Sequence, residues 1–229
     1  MIRTPLTIVS WNIRKAVGLD WRRDPDRVLH VLATLDPDIV LLQEADKRLA
    51  PRHPALPLDM VDRAGWTAIN ADPATPSIGH HGNAVLLRHG LHIERILGID
   101  LPGLEPRGAV LARIEGSFGA LTVGGLHLGL RRSDRRQQIA RVIAEAEGFG
   151  GPTVLAGDTN EWRHPGPFDL PQGWQDIAPG ASFHATRPML RLDRFLVSGD
   201  VPVRSSDVLP RSDAYRASDH LPIRLCIGA

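Results

Sequence analysis

Nine short runs of apolar and β-branched residues recur along the chain, and this succession limits its possible folds more than any other feature. Runs of this length, whether alternating or continuous, are typical of β-strands. In chain order they cover residues 4–11, 38–43, 84–87, 93–99, 109–114, 120–126, 153–156, 194–197 and 220–227. A chain with so many strands buries its apolar faces by layering sheets rather than by bundling helices, so we expect an α/β layered sandwich.

Two segments carry a clear helical signature. Residues 24–26 read Asp-Pro-Asp, which supplies an N-cap, a first-turn proline and an acidic first turn, and apolar residues follow at helical spacing. The second segment covers residues 133–147, with Ser133 as the expected N-cap. Residues 164–188 contain five prolines, so we expect a loop without regular structure there. Loops of this length in compact domains are often functional.

The composition agrees with a single domain over residues 1–229, because 42% of the residues are hydrophobic and domains commonly hold about 100–200 residues. No run approaches the ~18 apolar residues of a membrane-spanning helix, and the N-terminus lacks an export pattern, so we expect a soluble, cytoplasmic protein. The single cysteine, Cys226, excludes an intramolecular disulfide and a multi-cysteine zinc site. With 27 basic and 26 acidic side chains, only a local phosphate site is expected, not bulk coating of nucleic acid.

Short polar signatures stand at the ends of the predicted strands. A rigid sheet can hold side chains at its strand ends over a common cleft. A helix cap, a turn or a structural histidine explains any one of these signatures, but none of them explains the whole succession. In order, they are Ser10-Trp11-Asn12, Gln43-Glu44, Gly125-Leu126-His127-Leu128, Gly157-Asp158-Thr159-Asn160, Leu192-Asp193-Arg194 and Ser218-Asp219-His220-Leu221-Pro222.

This set of signatures, in this order, resembles the endonuclease/exonuclease/phosphatase superfamily of metal-dependent phosphoesterases. The most specific elements are the GDxN pattern at 157–160 and the SDHxP pattern at 218–222, preceded by the strand-terminal Gln-Glu at 43–44. The His-Leu-Gly-Leu stretch at 127–130 is most similar to small bacterial members. The resemblance implies a four-layer α/β-β/α sandwich, in which helices flank two packed, mainly antiparallel β-sheets and the cleft lies at one edge.

A divalent-metal site is expected in this cleft. A hard cation prefers oxygen ligands and keeps several waters, and Glu44 with Asn12 offers such ligands. No His-x-His or His-x-x-x-His pair gives zinc spacing, and the adjacent His80 and His81 are expected to point apart. Mg²⁺ or Mn²⁺ is therefore favoured over Zn²⁺. The resemblance adds Asp219 as a further metal ligand or a carboxylate that supports a histidine, with a turn cap as the alternative.

Phosphodiester hydrolysis requires an activated in-line water, neutralised charge on the non-bridging oxygens and a stabilised leaving oxygen. By resemblance, Asp158 orients or deprotonates the water as general base, and Asn160 positions Asp158 or the phosphate. His220 contacts the phosphoryl group as a hydrogen-bond donor or acid, while Asp193 orients its imidazole and raises its pKa. A salt bridge from Asp193 to an adjacent arginine is the alternative interpretation.

The same resemblance implies two further residues that face the phosphate. Arg107 precedes a predicted strand and His127 ends the next one, where relatives place a phosphate-facing arginine and a histidine or tyrosine. A surface pair with Glu105 is the alternative for Arg107. Asn83 matches a Gly-Asn-Ala strand start and is expected to brace the site or contact substrate, with a simple turn role as its alternative.

A local excess of arginine follows position 127. Five arginines and one aspartate lie between positions 131 and 141, at the start of a predicted helix, where positive charge opposes the helix dipole. This misfit favours an anionic partner, so Arg131 and Arg132 are expected to bind substrate, with a solvated helix face as the alternative. Trp162 is expected to be partly exposed and to stack on substrate, whereas Trp11 lies within a strand and is expected in the core.

The sequence therefore predicts a divalent-metal-dependent phosphodiesterase, in the first place an intracellular nuclease that uses Mg²⁺ or Mn²⁺. A phosphodiesterase or phosphatase that acts on phospholipids or small molecules is the first alternative, with an anionic headgroup as its partner. A binding module that keeps the fold without catalysis is the second. Glu44, Asp158 and His220 are all present, which favours catalysis. No obligate protein partner is indicated.

Overall fold

The computed structural model of the chain describes residues 2, 4–46, 51–75, 77–209 and 214–228. Its strands are β1 (Leu6–Asn12), β2 (Ile39–Gln43), β3 (Trp66–Ala68), β4 (Ala84–Arg88), β5 (His92–Leu101), β6 (Arg107–Gly116), β7 (Gly119–His127), β8 (Thr153–Asp158), β9 (Gln175–Ile177), β10 (Asp193–Val197), β11 (Val203–Val208) and β12 (Ile223–Ile227). Its helices are α1 (Pro25–Leu35), α2 (Leu58–Arg63), α3 (Arg132–Glu147) and α4 (Ala214–Ala217), with a 3₁₀ turn at Arg14–Ala16. No helix in these residues combines the length and the apolar character needed to cross a membrane.

The strands form two six-stranded sheets with the same internal pattern. The first has the order β11-β12-β1-β2-β4-β3, and the second has the order β5-β6-β7-β8-β10-β9. In each sheet one central pair is parallel, β1 with β2 and β7 with β8, and the other neighbours are antiparallel. A hydrogen bond between Asn12 and Asp158 joins the carboxyl ends of β1 and β8. The two parallel pairs therefore end at the same edge of the molecule.

Apolar side chains fill three layers, which makes the molecule a four-layer sandwich. The layer between the sheets contains Ile8, Leu41, Val123, Val154 and Phe195 among its fully buried residues. A second layer joins the outer face of the first sheet to α1, and a third joins the outer face of the second sheet to α3. Complete burial of a large apolar side chain stabilises a fold by about 1.5–3 kcal/mol. The predicted α/β sandwich with mainly antiparallel sheets is thus confirmed.

The two predicted long helices are present, but only the first is capped as expected. Asp24 precedes α1, and its Oδ1 accepts the backbone N–H of Arg27 at 3.0 Å. In contrast, the prediction that Ser133 caps α3 is wrong. The helix begins at Arg132, its N-cap residue Arg131 makes no side-chain capping bond, and the Ser133 hydroxyl donates to Asp134 instead. The arginine-rich start of α3 therefore lacks the side-chain acceptor that usually satisfies a free N–H.

The structure also differs from the sequence-based expectations in short or irregular elements. Strand β9 lies within 164–188, where no regular element was expected, because three residues free of proline suffice to pair with β10. Strand β12 starts at Ile223 rather than at 220, since Pro222 has no N–H to donate to a ladder. Strands β3 and β11 carry too few apolar residues in alternation for the sequence pattern to reveal them.

Candidate active site

Polar side chains occupy the last inward-facing positions of strands in both sheets. Residues two apart on a strand point to the same side of the sheet. The apolar residues at positions 8, 41, 123, 154 and 195 pack between the sheets. Continuing this alternation to the strand ends puts five polar residues on the same inner layer: Asn12, Gln43, His127, Asp158 and Asp193. A polar site therefore forms where the apolar layer between the sheets reaches its edge.

Asp158 lies at the centre of these groups and is buried. Within the second sheet it pairs in register with His127 on β7 and with Asp193 on β10. Across the gap between the sheets, Nδ2 of Asn12 donates to its Oδ2 at 3.1 Å. Its other oxygen, Oδ1, accepts the backbone N–H of Asn160 at 2.9 Å. Both carboxylate oxygens are thereby held in place.

Two imidazoles face Oδ2 of Asp158. Nε2 of His127 lies 3.4 Å from this oxygen, and Nε2 of His220 lies 3.6 Å from it. Arg107 is buried, and its Nη1 donates to Nδ1 of His127 at 3.0 Å, because a guanidinium can only donate. A neutral His127 therefore carries its proton on Nε2, directed at the carboxylate. Arg107 does not lie at the surface, which was its alternative position.

His220 is held between two carboxylates. Its Nδ1 lies 2.8 Å from Oδ2 of Asp193, and the same oxygen accepts the Ser182 hydroxyl at 2.5 Å. Burial alone lowers the pKa of His220, but Asp193 and Asp158 outweigh this effect and raise that pKa to about 10. The ring is therefore protonated at neutral pH, and Nε2 presents an N–H donor on the side of Asp158.

The opposite wall of the cleft is built from the ends of β1 and β2. The carboxylate of Glu44 pairs with Nζ of Lys15. The side-chain oxygen of Asn12 accepts the backbone N–H of Arg14 at 3.1 Å, which folds the turn carrying Lys15 back against the strand end. The cleft is lined by Lys15, Glu44, Asp46, Arg52, His81, Gly82, Pro106, Arg107 and His127.

Strained backbone concentrates around this cleft. Positive φ at a residue other than glycine costs of order 1–3 kcal/mol and persists only where the surrounding contacts hold it. Of the eight such residues in the described part of the chain, six adjoin the site. They are Arg14 (47°), Lys15 (60°), Ala16 (57°), Glu44 (51°), His81 (49°) and Asn160 (50°). Because strain of this kind clusters at functional sites, its position supports a functional role for the cleft.

Asp193 and Asp219, the two remaining carboxylates, differ in whether they lie beside an arginine. Asp193 does not pair with an adjacent arginine, since the fully buried Arg194 binds Asp176 at 2.7 Å. Asp219 lies beside Arg14, with Oδ2 3.7 Å from its Nε. Neither Asp219 nor Asp158 forms a three-residue metal-type cluster with Glu44 in the described part of the chain.

Two asparagines tie backbone segments together beside the site. Asn160 lies beyond the end of β8, and its Nδ2 donates to the backbone carbonyl of Leu128 at 2.9 Å. It therefore holds Asp158 through its backbone N–H rather than through its side chain. Asn83 is fully buried, and its Nδ2 donates to the carbonyl of Gly108 at 2.8 Å, which ties the start of β4 to β6. Oδ1 of Asn83 is buried without a hydrogen-bond partner.

The expectation that His80 and His81 point apart is wrong. The two residues lie in a turn rather than a strand, and each Nε2 lies 2.9 Å from Oδ1 of Asp100. Arg52 donates to Nδ1 of His81 at 3.1 Å. Burial lowers the pKa of His81, and the neighbouring His80 and Arg52 lower it further. Asp100 supplies a counter-charge from β5 that the sequence pattern did not associate with these histidines.

The arginine group at 131–141 does not form one anion-binding face. Arg135 is buried and pairs with the buried Glu161 at 2.7 Å. Arg136 pairs with Asp169, and Arg141 lies 3.9 Å from Glu145. Arg131 and Arg132 are exposed and make no ion pair with any described residue. Of the five arginines, only Arg131 and Arg132 are left for an anionic partner, because the other three are neutralised by carboxylates within the protein.

We expect the variant Arg135→Ala to destabilise the protein by about 3–5 kcal/mol, because it leaves the Glu161 carboxylate buried without its partner. Urea unfolding would measure the loss. The matched control is Arg141→Ala on the same helix, where an exposed pair is worth less than about 0.5 kcal/mol. Equal stability of the two variants would contradict a structural role for Arg135.

The two tryptophans beside the site signatures have different environments. Trp11 is fully buried, as expected, and its Nε1 donates to the backbone carbonyl of His220 at 2.9 Å. It therefore links β1 to the segment that carries His220. Trp162 is 58% exposed, in agreement with the expectation of partial exposure.

Several residues of the cleft were not predicted from the sequence. Lys15, Asp46 and Arg52 line it, and Ser182 donates to Asp193. None of them ends a strand or belongs to a polar signature, so the pattern that revealed the other residues does not apply to them. The only available signal was that Lys15, one of two lysines in the chain, follows Asn12 within three residues.

Solved structures with the same architecture support the fold. An endonuclease/exonuclease/phosphatase from Beutenbergia cavernae has a TM-score of 0.73 and 21% identity, over 99% of this chain and 72% of that chain. TDP2 from D. rerio, solved with a single-strand DNA product, has a TM-score of 0.74 and 21% identity, over 99% and 100%. An endonuclease/exonuclease/phosphatase from Bacteroides vulgatus has a TM-score of 0.76 and 16% identity, over 98% and 99%. These similarities concern the fold.

Sequence similarity identifies the family. The chain is 32% identical over 157 residues to the uncharacterised protein YbhP of Escherichia coli strain K12, which covers 63% of this chain and 62% of YbhP. The match thus spans less than two thirds of the length of that relative. The model of the Endonuclease/Exonuclease/phosphatase family matches residues 9–220, from β1 through His220. The chain therefore belongs to the endonuclease/exonuclease/phosphatase family.

Proposed function

We propose that the protein is a divalent-metal-dependent phosphodiesterase, in the first place a nuclease, in which Asp158 activates the attacking water. Members of its family are hydrolases that act on phosphoester bonds, and they include nucleases and phosphatases. The observation that carries the proposal is the arrangement at Asp158: a buried carboxylate faces two imidazoles at the edge of a cleft that also contains Lys15, Arg107 and Glu44.

The charges of this arrangement suit phosphodiester hydrolysis. Asp158 accepts the proton of the attacking water at Oδ2, which Asn12 orients through a hydrogen bond. His127 is held by Arg107 and presents Nε2 to the cleft, so it can donate to a non-bridging phosphoryl oxygen. Protonated His220 donates from Nε2 to the phosphoryl group, while Asp193 keeps its ring oriented. Each role uses an atom that already faces Asp158.

The donor atoms at the opposite wall fit a hard divalent cation. Glu44 contributes carboxylate oxygens and Asn12 an amide oxygen, ligands that Mg²⁺ and Mn²⁺ prefer. Asp219, which lies beside Arg14 rather than in the lining of the cleft, is proposed as a further carboxylate ligand. The Lys15 ammonium beside Glu44 indicates that positive charge is favourable at this position. When bound, the metal supplies charge neutralisation for the phosphoryl oxygens.

We expect dialysis against a chelator to abolish phosphodiesterase activity, and Mg²⁺ or Mn²⁺ to restore it. In Glu44→Ala, the metal concentration for half-maximal rate should rise at least about tenfold, because a carboxylate ligand is lost. Steady-state rates across a metal titration would measure this shift. Glu94→Ala is the control, since that carboxylate pairs with Arg113 away from the cleft. Full activity after chelation would contradict the metal requirement.

A nucleic-acid substrate is supported by the two exposed arginines that follow His127. Both lie within five residues of that histidine and lack ion-pair partners among the described residues, so they are available to neighbouring phosphates. TDP2 from D. rerio, which has a similar fold, was solved with a single-strand DNA product. Because phosphate contacts release counterions, arginines of this kind should make binding depend on salt concentration.

A panel of single-stranded DNA, plasmid DNA, RNA and phosphatidylglycerol vesicles, each with Mg²⁺ or Mn²⁺, tests the substrate class. We expect hydrolysis of nucleic acid, and in Arg131→Ala/Arg132→Ala a slope of log KM against log salt that is flatter by about 2. Arg63→Ala, an exposed arginine paired with Asp59 on α2, is the control. Turnover of vesicles alone would contradict the nuclease assignment, and binding without turnover of any substrate would favour a non-catalytic module.

A phospholipid phosphodiesterase is the second candidate, because large apolar side chains are exposed on segments that are close in sequence to the site residues. Leu104, Leu130, Trp162 and Met189 are each at least 58% exposed. Each lies within four residues of Arg107, His127, Asp158 or Asp193. Exposed apolar residues beside arginines suit insertion into an anionic membrane surface. Leu104, Leu130 and Met189 offer no flat faces that stack on bases, so turnover of vesicles would be attributed to these exposed apolar side chains.

A further inference from the structure

The turn that precedes β4 carries two imidazoles that converge on one carboxylate oxygen. Nε2 of His80 and Nε2 of His81 each lie 2.9 Å from Oδ1 of Asp100. Ligand bonds of about 2.1 Å place neighbouring donor atoms about 3–3.5 Å apart, so both Nε2–Oδ1 distances are close to those between two ligands of one ion. In the described part of the chain, no other three His, Cys, Asp or Glu side chains bring ligand atoms within 4.8 Å of one another.

Two glycines in the sheet beneath these rings leave space for them. A Cβ at Gly98 would lie 3.2 Å from the His80 ring, and a Cβ at Gly108 would lie 2.9 Å from Cδ2 of His81 and 3.0 Å from Cδ2 of His80. Any side chain at Gly108 would therefore displace both histidines. The imidazoles are only 14% and 16% exposed, whereas the Asp100 carboxylate is 81% exposed. One side of the cluster is thus open to water.

We propose that His80, His81 and Asp100 form a second metal site, which binds an imidazole-preferring divalent transition metal such as Zn²⁺. Two imidazoles and one carboxylate on one face leave further positions for water, as in other two-histidine, one-carboxylate sites. The site differs from the cleft wall at Glu44 in its ligands, since nitrogen donors disfavour Mg²⁺. The inference does not depend on the proposed phosphodiesterase activity, because metal binding is its readout.

The position of the site suggests what a bound ion would stabilise. The carbonyl of Gly82 accepts the backbone N–H of Ala45, which follows Glu44, at 2.8 Å. An ion held by His80 and His81 against Asp100 would therefore fix to β5 the turn that supports the Glu44 wall. We expect a saturating concentration of Zn²⁺ to raise the melting temperature of the wild type.

Arg52 opposes metal binding in the present arrangement and offers a sharp test. It donates to Nδ1 of His81, so the proton of a neutral ring lies on Nε2, the atom that would bind the metal. Metal binding requires this proton to move to Nδ1 and Arg52 to turn away. Arg52→Ala should therefore tighten Zn²⁺ binding several-fold. If the three residues only hydrogen-bond to one another and bind no metal, Arg52→Ala should not tighten Zn²⁺ binding.

The experiment uses the full chain after dialysis against a chelator. Competition with a chromophoric chelator would measure Zn²⁺ affinity, and the visible absorption of added Co²⁺ would report nitrogen ligands. We expect one equivalent to bind in the wild type, and His80→Ala, His81→Ala and Asp100→Asn each to weaken binding at least tenfold. Asp100→Asn changes an exposed group, so it tests the site without threatening the fold.

Two controls locate the ion. His89 lies 3.4 Å from Asp62, an exposed pair without a second imidazole, so His89→Ala should leave Zn²⁺ affinity unchanged. Glu44→Ala should also bind one equivalent of Zn²⁺ with the affinity of the wild type. The proposal is overturned if the wild type binds no Zn²⁺ at micromolar concentration, or if Glu44→Ala abolishes binding while Asp100→Asn does not.

Discussion

Replacement of Asp158 by asparagine is expected to lower kcat/KM for bis(p-nitrophenyl) phosphate by about 100-fold or more. The amide keeps the size of the side chain but cannot accept the proton of the attacking water. Removing a positioned general base costs about two to four orders of magnitude, so a smaller loss would point to an orienting role only. The measurement is the steady-state rate with Mg²⁺ or Mn²⁺ at saturating concentration.

The Asp158→Asn variant also has a structural cost that must be measured. In the native protein one carboxylate oxygen accepts from Asn12 and the other from the backbone of Asn160. An amide can satisfy only one of these donors, and a buried unsatisfied group costs about 1–3 kcal/mol. Rates should therefore be recorded well below the melting temperature of the variant.

Asp169→Asn provides the matched control for this variant, because that carboxylate forms an exposed pair with Arg136. We expect its kcat/KM to stay within about twofold of the wild type. Activity of Asp158→Asn close to that of Asp169→Asn would refute the proposed base.

Removal of the His220 imidazole is the second change with a large expected effect. His220→Ala should lower kcat/KM by about 100-fold or more, because the phosphoryl group loses a charged donor that faces Asp158 at 3.6 Å. Added imidazole should restore part of the lost activity by occupying the vacated position between the two carboxylates. The same addition should not rescue Asp158→Asn.

Asp193→Asn separates the positioning of His220 from its chemistry. Asp193 touches the imidazole rather than the cleft, and one of its oxygens binds both Nδ1 of His220 and the Ser182 hydroxyl. We expect kcat to fall while KM changes little, because the ring loses its orientation but substrate contacts remain. An equal change in KM would indicate that Asp193 acts on substrate binding instead. Full activity of His220→Ala would refute the proposal that His220 donates to the phosphoryl group.

The strands and the polar residues at their ends could be predicted because both follow from one periodicity, and the resemblance to the family singled out the residues expected at the site. Inward-facing residues recur every second position along a strand, so the polar residue that ends each apolar run continues the same face. Asn12, His127, Asp158 and Asp193 all belong to this class. Most of the polar strand ends needed no knowledge of distant contacts, since the apolar runs mark them directly.

Predictions that depended on contacts across the molecule were less successful. The sequence reveals the charge of the arginines after His127 but not their partners: Arg135 of α3 turns inward to Glu161, in the loop that follows β8. Helical periodicity did not reveal the pair of Arg135 and Glu161, because the two residues lie 26 positions apart in the chain. The expectation that His80 and His81 point apart applies the alternation of a strand, whereas a positive φ at His81 turns the chain and brings both rings to Asp100.

In the described part of the chain, the amino-acid sequence by itself determined nine of the twelve strands, the polar residues at their ends and the chemistry that those residue types favour. These properties depend on local spacing and on side-chain chemistry. Only the tertiary structure decided the partners: Asp158 meets Asn12 from the other sheet, Lys15 meets Glu44, and Arg107 meets His127. The reason is that these contacts depend on how the two sheets pack and on where each turn leaves its strand. Distances of this kind are set by the whole fold rather than by any local pattern.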